Sequence, residues 1–182
     1  MAVNAYLAWD AGTKKAAAFD TGAKAKEMVE FAKKQGLSIE AIFLTHTHPD
    51  HIADLGALRK AAAEGAKVNV HVLEQLPDCD FLQDGAEYEV GALKIVAKHT
   101  HGHSRGGTSY IIEGLKRPVA VVGDALFAGS MGGGMASYRD ALRTNRQHLL
   151  SLPDDAVLCP GHGPMTTVAE EKAHNPFFPE FS

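Results

Sequence analysis

The hydrophobic positions of the chain fall into short apolar runs separated by segments with helical spacing. The runs "IEAIFLT", "KVNVHV" and "RPVAVVGD" have the length and the β-branched content of buried strands. Between strands, Met28, Phe31 and Ala32 lie on one stripe that stops at Gly36, which predicts a helix with a glycine at its C-terminus. Strands and helices therefore mix along the chain, as in an α/β protein.

Two further helices are predicted from the same spacing. Ile52, Leu55 and Leu58 recur on one side of a helix predicted over residues 52–65. The last predicted helix lies in the segment 137–153, with Ser137 as its N-cap and Pro153 just past its end. No linker or low-complexity segment interrupts the pattern, so we predict a single domain over residues 1–182, built as two similar halves.

Composition narrows the possible functions. The net charge of -4 and the absence of a long Lys/Arg cluster argue against a nucleic-acid partner. No segment approaches the ~18 unbroken apolar residues of a membrane span, so no membrane partner is expected. The N-terminal stretch lacks the basic and apolar regions of a secretory signal, and two cysteines do not form a disulfide framework. We therefore expect a cytoplasmic protein, whose oligomeric state the sequence leaves open.

The histidines carry the strongest chemical signal. In the stretch "LTHTHPDHIADL", His46, His48, Asp50 and His51 follow an apolar run directly. Because side chains alternate along an extended segment, the first three can point the same way, while His51 sits at the predicted start of a helix. Imidazole and carboxylate groups are the ligands that Zn(II), Fe(II) and Mn(II) prefer. The stretch therefore predicts a metal site.

Further candidate ligands stand where other apolar strands end. "LKIVAKHTHGHS" ends in His99, His101 and His103, "VAVVGDALF" contains Asp124, and "AVLCPGHGP" contains His162. Strand ends that meet at one edge are the usual place for a catalytic site in a layered α/β fold. The alternation of the three histidines at 99–103 leaves open which of them faces the site.

Four of these motifs, in this order, resemble the metallo-β-lactamase superfamily: "THTHPDH", "HTHGHS", "GDALFAGS" and "PGHGP". The chain is most similar to short, single-domain hydrolases of the glyoxalase II type, and the resemblance runs from about Asn4 to Phe177. It implies a four-layer αββα sandwich, in which two mixed sheets face each other and helices cover the outside.

The resemblance also implies two divalent metal ions, with Zn(II) favoured and Fe or Mn as alternatives. One ion would be bound by His46, His48 and His103, the other by Asp50, His51 and His162, with Asp124 as the bridge. The catalytic residues would be Asp50 and Asp124, of which Asp50 would orient a metal-bridging hydroxide. The implied reaction is hydrolysis of a small thioester, similar to a hydroxyacylglutathione.

Two alternatives remain on the same fold. A persulfide dioxygenase would need a single Fe(II), for which His46 or His48, His103 and Asp124 could serve. The complete second ligand set favours the hydrolase. A non-enzymatic ligand sensor is less favoured, because such proteins tend to lose ligands and none is missing here.

Four other residues are candidates for supporting roles. Tyr138, Arg139 and Arg143 follow the glycines at 132–134, and they either contact an anionic substrate or form an ordinary helix surface. Asp54 either hydrogen-bonds a ligand imidazole or is a first-turn carboxylate that the helix dipole stabilises.

Overall fold

The computed structural model describes residues 2–181, and its strands form two sheets. The first sheet contains β1 Tyr6–Trp9, β2 Lys15–Phe19, β3 Ser38–Phe43, β4 Lys67–His71 and β5 Asp80–Leu82, in that order. The second sheet has the order β11-β10-β9-β8-β7-β6, with β6 Glu87–Val90, β7 Leu93–His99, β8 Thr108–Glu113, β9 Val119–Gly123, β10 Val157–Pro160 and β11 Thr166–Thr167. Each half of the chain therefore builds one sheet.

Both sheets are mixed, as the resemblance implied. In the first, β1 runs antiparallel to β2, and β2 to β5 are parallel to one another. In the second, β9 and β10 are parallel and the other neighbours are antiparallel. Three strands that precede candidate ligands, β7, β9 and β10, consequently run in the same direction.

Helices cover the outer faces. They are α1 Lys26–Gln35, α2 Leu55–Ala61, α3 Tyr138–Thr144 and α4 Val168–His174, and α3 continues into a π-helical turn, Asn145–Leu149. Helix α1 ends at Gly36 in the left-handed conformation, and α3 begins at Ser137, whose Oγ accepts a hydrogen bond from the backbone N–H of Asp140. The predicted stop of α1 and the predicted cap of α3 are thus confirmed. No strand prediction covered β5 or β11, and no helix prediction covered α4.

Three hydrophobic clusters show the layers. The central cluster lies between the sheets and contains the stacked rings of Phe19 and Phe43 together with Tyr110. A second cluster, around Ile42 and Leu58, lies under α1 and α2. The third contains Leu149, Leu150, Val168 and Phe178 and lies under α3 and α4. Successive side chains of each strand point to opposite faces of its sheet, so one face packs on the other sheet and the opposite face packs on helices. This arrangement is the four-layer αββα sandwich.

One helix starts later than its sequence pattern suggests. The helix predicted over residues 52–65 is observed as α2, Leu55–Ala61, so His51 lies in the turn before it. The reason is tertiary: the carbonyl of His51 accepts hydrogen bonds from the N–H and the hydroxyl of Thr21. These contacts hold the backbone of residue 51 against the loop after β2 and away from a helical path.

Candidate metal centre

The first group of donor atoms joins the loops after β3 and β7. His46 Nε2 lies 2.9 Å from His48 Nδ1, and His103 Nε2 lies 3.1 Å from the same atom. Asp124 Oδ2, just past the end of β9, lies 3.4 Å from His103 Nε2. These four residues each direct one donor atom into a region where all the donors lie within 4.8 Å of one another.

The second group lies on the other side of Asp124. His162 Nε2, from the loop after β10, lies 3.3 Å from Asp50 Oδ2, and these two residues form a donor cluster with His51. The two oxygens of Asp124 face this group as well, with Oδ1 3.3 Å from His51 Nε2 and Oδ2 3.6 Å from His162 Nε2. The Asp124 carboxylate therefore stands between the two groups.

A buried carboxylate that the site prediction did not include orients part of this cluster. Asp20 follows β2, and its Oδ2 accepts a hydrogen bond of 2.8 Å from His51 Nδ1–H. The same carboxylate accepts bonds from the backbone N–H and the hydroxyl of Thr45, and the Thr45 hydroxyl lies 3.1 Å from His46 Nδ1. Asp20 adopts a φ of 55°, a left-handed conformation that aspartate tolerates better than most residues. Its position at a strand end, in "FDTG", is the signal that could have identified it.

Backbone carbonyls orient two of the other imidazoles. His103 Nδ1–H donates to the carbonyl of Gly133 at 2.9 Å, and His162 Nδ1–H donates to the carbonyl of Ala2 at 2.8 Å. A hydrogen bond at Nδ1 fixes the tautomer and leaves the lone pair on Nε2. Neutral imidazoles with a free Nε2 are suited to bind a divalent cation.

Two observations show that the donors fit metal ions. His51 Nε2 and Asp124 Oδ1 are buried and have no hydrogen-bond partner among residues 2–181, although they face each other. Buried polar atoms are rarely left unsatisfied, and a cation between the donors would satisfy both. The backbone approaches closely at Gly161, where an added Cβ would lie 2.2 Å from Asp124 Oδ1. Any side chain at residue 161 would therefore displace the Asp124 carboxylate.

In the metal-free cluster, the imidazoles differ in their pKa values because their surroundings differ. Burial alone would lower the pKa of His51, but the carboxylates of Asp124 and Asp20 outweigh burial and raise that pKa to about 10. Burial, reinforced by the neighbouring charge of His51, lowers the pKa of His46 to about 2. Burial also lowers the pKa of His103. His46 and His103 are therefore neutral and ready to coordinate, whereas His51 carries a proton that a cation must displace.

The other histidines of the 99–103 stretch lie outside both donor groups. The ring of His99 stacks on His71, with centroids 4.0 Å apart, and the ring of His101 follows at 4.2 Å. His99 Nε2 donates to the carbonyl of Arg105, and His101 Nε2 lies 3.3 Å from the Arg143 guanidinium. Of the three alternating residues, His103 is the one that the structure brings to Asp124.

Asp54 does not contact a ligand imidazole. Its Oδ2 accepts a hydrogen bond of 2.8 Å from the backbone N–H of Ala25, the residue before α1. The expectation of a first-turn carboxylate is closer to what is observed, except that Asp54 serves α1 rather than its own helix α2. The role of imidazole partner belongs to Asp20.

The candidate substrate residues lie on α3, beside the donor groups rather than within them. Tyr138, Arg139 and Arg143 help to line an open depression of about 610 Å³ whose lining includes none of the seven candidate ligands. The Arg143 guanidinium is bound to Asp140 Oδ1 at 3.0 Å. The start of α3 is nevertheless anchored near His103, because the carbonyl of Gly102 accepts hydrogen bonds from the N–H groups of residues 136 and 137.

Residues 1–162 match the sequence family described as the metallo-beta-lactamase superfamily. Hydroxyacylglutathione hydrolase GloC of Haemophilus influenzae is 29% identical, covering 96% of this chain and 92% of its own. A crystal structure of BLEG-1 B3 metallo-beta-lactamase has a TM-score of 0.85 at 29% identity, covering 97% of this chain and 94% of its own. A structure of TTHA1623 in a di-iron-bound form has a TM-score of 0.79 at 27% identity and covers 96% and 94%. The chain belongs to the metallo-β-lactamase superfamily.

Proposed function

We propose that this chain is a dinuclear metal-dependent hydrolase that cleaves a small thioester similar to a hydroxyacylglutathione. The observation that carries the proposal is the pair of donor groups that share the carboxylate of Asp124. Two similar proteins add support: one is named a hydroxyacylglutathione hydrolase, and another has been solved in a di-iron-bound form. We propose further that residues 1–182 act as one domain in the cytoplasm.

Each candidate ligand has a role in this proposal. His46, His48 and His103 would hold one cation, preferably Zn(II), with Fe or Mn as alternatives. Asp50, His51 and His162 would hold the second, and Asp124 would bridge the two. When bound, the cations lower the pKa of a water molecule from 15.7 towards ~7 and polarise the substrate carbonyl.

The protein itself supplies orientation and a proton acceptor. Asp50 is the more exposed of the two catalytic carboxylates, at 45% against 9% for Asp124. Asp50 can therefore reach solvent and substrate, and it would orient the nucleophile and accept its proton. Asp124 is buried, and in the metal-free centre the hydrogen bond and charge of His51 hold its pKa below the ordinary value although burial opposes this; a cation that replaces the His51 proton would supply the same positive charge. Asp124 thus stays ionised and keeps the two donor groups at a fixed spacing.

The donor set favours a thiolate leaving group. The two groups consist of imidazoles and carboxylates, all of them assigned to the cations or to the nucleophile. A thiol, with an ordinary pKa near ~8.5, leaves as a thiolate without protonation, whereas an amine needs a proton donor. Cys159 is no candidate nucleophile, since burial raises its pKa to about 11.

On the substrate side, we propose that Tyr138, Arg139 and Arg143 contact an anionic group of the acyl-thiol. Their support is the anchoring of α3 beside His103 through the carbonyl of Gly102. Arg143 is already paired with Asp140, so Arg139 is the more available cation of the two.

The similarity to a structure titled a B3 metallo-beta-lactamase makes β-lactam hydrolysis the second candidate. The test compares substrates on one preparation of known metal content. Metal per chain is measured by mass spectrometry, and the same protein is assayed with S-lactoylglutathione, with a chromogenic β-lactam, and for oxygen uptake with glutathione persulfide. About two metals with thioester turnover supports the proposal. A single iron with oxygen uptake, or turnover of the β-lactam alone, replaces it.

Asp124→Ala provides the matching genetic test. Removing the shared carboxylate should lower thioester turnover by more than about 100-fold, because both donor groups lose a ligand. The control is Asp155→Ala, an exposed aspartate in the loop before β10, which should keep wild-type turnover. Near-normal turnover of Asp124→Ala would remove the bridging role.

A further inference from the structure

Glu74 ties together the two loops that carry the first donor group. It lies in a short 3-10 turn, Val72–Glu74, that follows β4. Its Oε2 accepts hydrogen bonds from the backbone N–H of Thr47 at 2.9 Å and from the Thr47 hydroxyl at 2.6 Å. Its Oε1 accepts a bond of 2.7 Å from the backbone N–H of Gly106. One carboxylate therefore holds two separate segments of backbone.

Both partners stand next to candidate ligands. Thr47 is the residue between His46 and His48, and Gly106 lies three residues after His103. The two loops come from different sheets, so no strand pairing fixes the distance between them. The hydrogen bonds of Glu74 act here together with one direct backbone bond, from the N–H of Thr108 to the carbonyl of Thr45 at 2.8 Å, to set how closely the three imidazoles approach.

The structure is fitted to this contact. At Gly106 an added Cβ would lie 2.6 Å from Cγ of Glu74 and 2.9 Å from its Oε1, so any larger residue would displace the Glu74 side chain. Burial would raise the pKa of Glu74, but the hydrogen bonds from Thr47 and Gly106 outweigh burial and lower it. Glu74 is therefore a carboxylate at neutral pH, and hydrogen bonds to a charged acceptor are the stronger kind.

The second donor group has different supports. His51 is held by Asp20 and by the contacts of its carbonyl with Thr21, and His162 is held by the carbonyl of Ala2. None of the hydrogen bonds of Glu74 reaches Asp50, His51 or His162 within residues 2–181. The two groups share Asp20, which holds His51 directly and His46 through Thr45, whereas Glu74 serves the first group alone.

We propose that Glu74 is a positioning residue that sets the spacing of His46, His48 and His103. It would thereby control the affinity of the first donor group for its metal ion without controlling the affinity of the second group. This inference rests on the metal centre of the proposed function and is independent of the substrate. It assigns no contact between Glu74 and metal or substrate.

Glu74→Gln is the most direct test. Glutamine has the same size as glutamate, but an NH2 group replaces one of the two carboxylate oxygens. Either Thr47 or Gly106 therefore loses the acceptor of its backbone N–H. In chelator competition with Zn(II), one of the two binding steps should weaken by about 10-fold, at the lower end of the range for outer-shell partners. The other step should match the wild type.

The matched control is Asp10→Asn. Asp10 accepts the same types of hydrogen bond, from the N–H groups of Gly12 and Ala92 and from the hydroxyl of Thr13, but in the turn between β1 and β2. The Asp10→Asn variant should retain both wild-type affinities for Zn(II). The comparison separates the effect of losing any hydrogen-bonded carboxylate from the effect of losing that of Glu74.

Gly106→Ala tests the same contact from the other side, because it keeps the charge of Glu74 and pushes the loop away. It should weaken the same single binding step. Unchanged affinities in both variants, equal weakening of both steps, or the same weakening in Asp10→Asn would overturn the proposal. Failure of the wild type to hydrolyse a thioester would overturn the proposed substrate and leave the affinity comparison intact.

Discussion

At the scale of single residues, the protonation state of each imidazole in the centre depends on the groups that contact its ring. His51 lies between two carboxylates, Asp20 on Nδ1 and Asp124 near Nε2, while His46 is enclosed by other imidazoles. The same side chain is therefore protonated in one position and neutral in the other. The first arrangement makes metal binding dependent on pH, and the second does not.

The pKa of His51 leads to a prediction for the metal-free protein. In a pH titration followed by NMR of the ring nitrogens, His51 should lose its proton near pH 10, whereas His46 should stay neutral down to about pH 2. Since a cation at Nε2 must displace that proton, metal affinity should rise with pH until about 10 and fall as pH is lowered. Titration of His51 near its ordinary value of ~6.5 would contradict this.

At the scale of elements, short helices are held by side chains from elsewhere in the chain. Helix α4 begins at the Thr167 cap, and its Glu171 accepts hydrogen bonds from Gly129, Thr166 and Asn175. Glu171 thereby fastens α4 to the loop that follows Asp124. The spacing Thr167-x-x-Glu170 is a capping signal in the sequence, yet an isolated helix of seven residues would be marginal without these tertiary contacts.

Helix α1 depends on a neighbour in the same way, which yields a prediction for Asp54. Asp54→Ala removes the acceptor of the Ala25 N–H at the start of α1, and should lower the free energy of unfolding by about 1 kcal/mol. Chemical denaturation measures the loss, and metal content should remain that of the wild type. Loss of metal at unchanged stability would instead favour a contact between Asp54 and a ligand imidazole.

At the scale of the whole molecule, the start of the chain braces the last ligand loop. Asn4 donates from Nδ2 to the carbonyls of Pro160 and Gly163, and its backbone N–H donates to the carbonyl of Gly161. These bonds join segments more than 150 residues apart, on either side of His162.

Among the described residues, 2–181, no helix is long and apolar enough to span a membrane.

Asn4→Ala tests this long-range brace. The variant loses both side-chain hydrogen bonds, and should be less stable by about 1–2 kcal/mol. Because the loop of His162 would be less fixed, the weakened metal-binding step should be a different one from that affected by Glu74→Gln. The double variant, followed in chelator competition, should show both steps weakened. A single common step in the two variants would contradict separate roles of Glu74 and Asn4.

The sequence by itself determined the α/β class, the strand ends and the residues that meet there. Period-two and period-3.6 patterns report which local structure can bury its apolar side, so β3, β7, β9, α1 and the cap at Ser137 were predictable. The motif order predicted the superfamily, which the family match confirms, and the four-layer sandwich, which the two sheets and the similar solved structure confirm. The structure brings together the seven candidate ligands that the motifs predict, although metal binding by them stays a prediction.

Only the tertiary structure decided which polar groups stand behind the ligands. Asp20 and Glu74 are distant in sequence from the residues they hold, at His51 and Thr47, and nothing local to either carboxylate indicates its partner. The choice of His103 over His99 and His101 was likewise settled by the turn of the loop against α3. Local patterns record burial, whereas hydrogen bonds between loops depend on distances that exist only after the two sheets have packed.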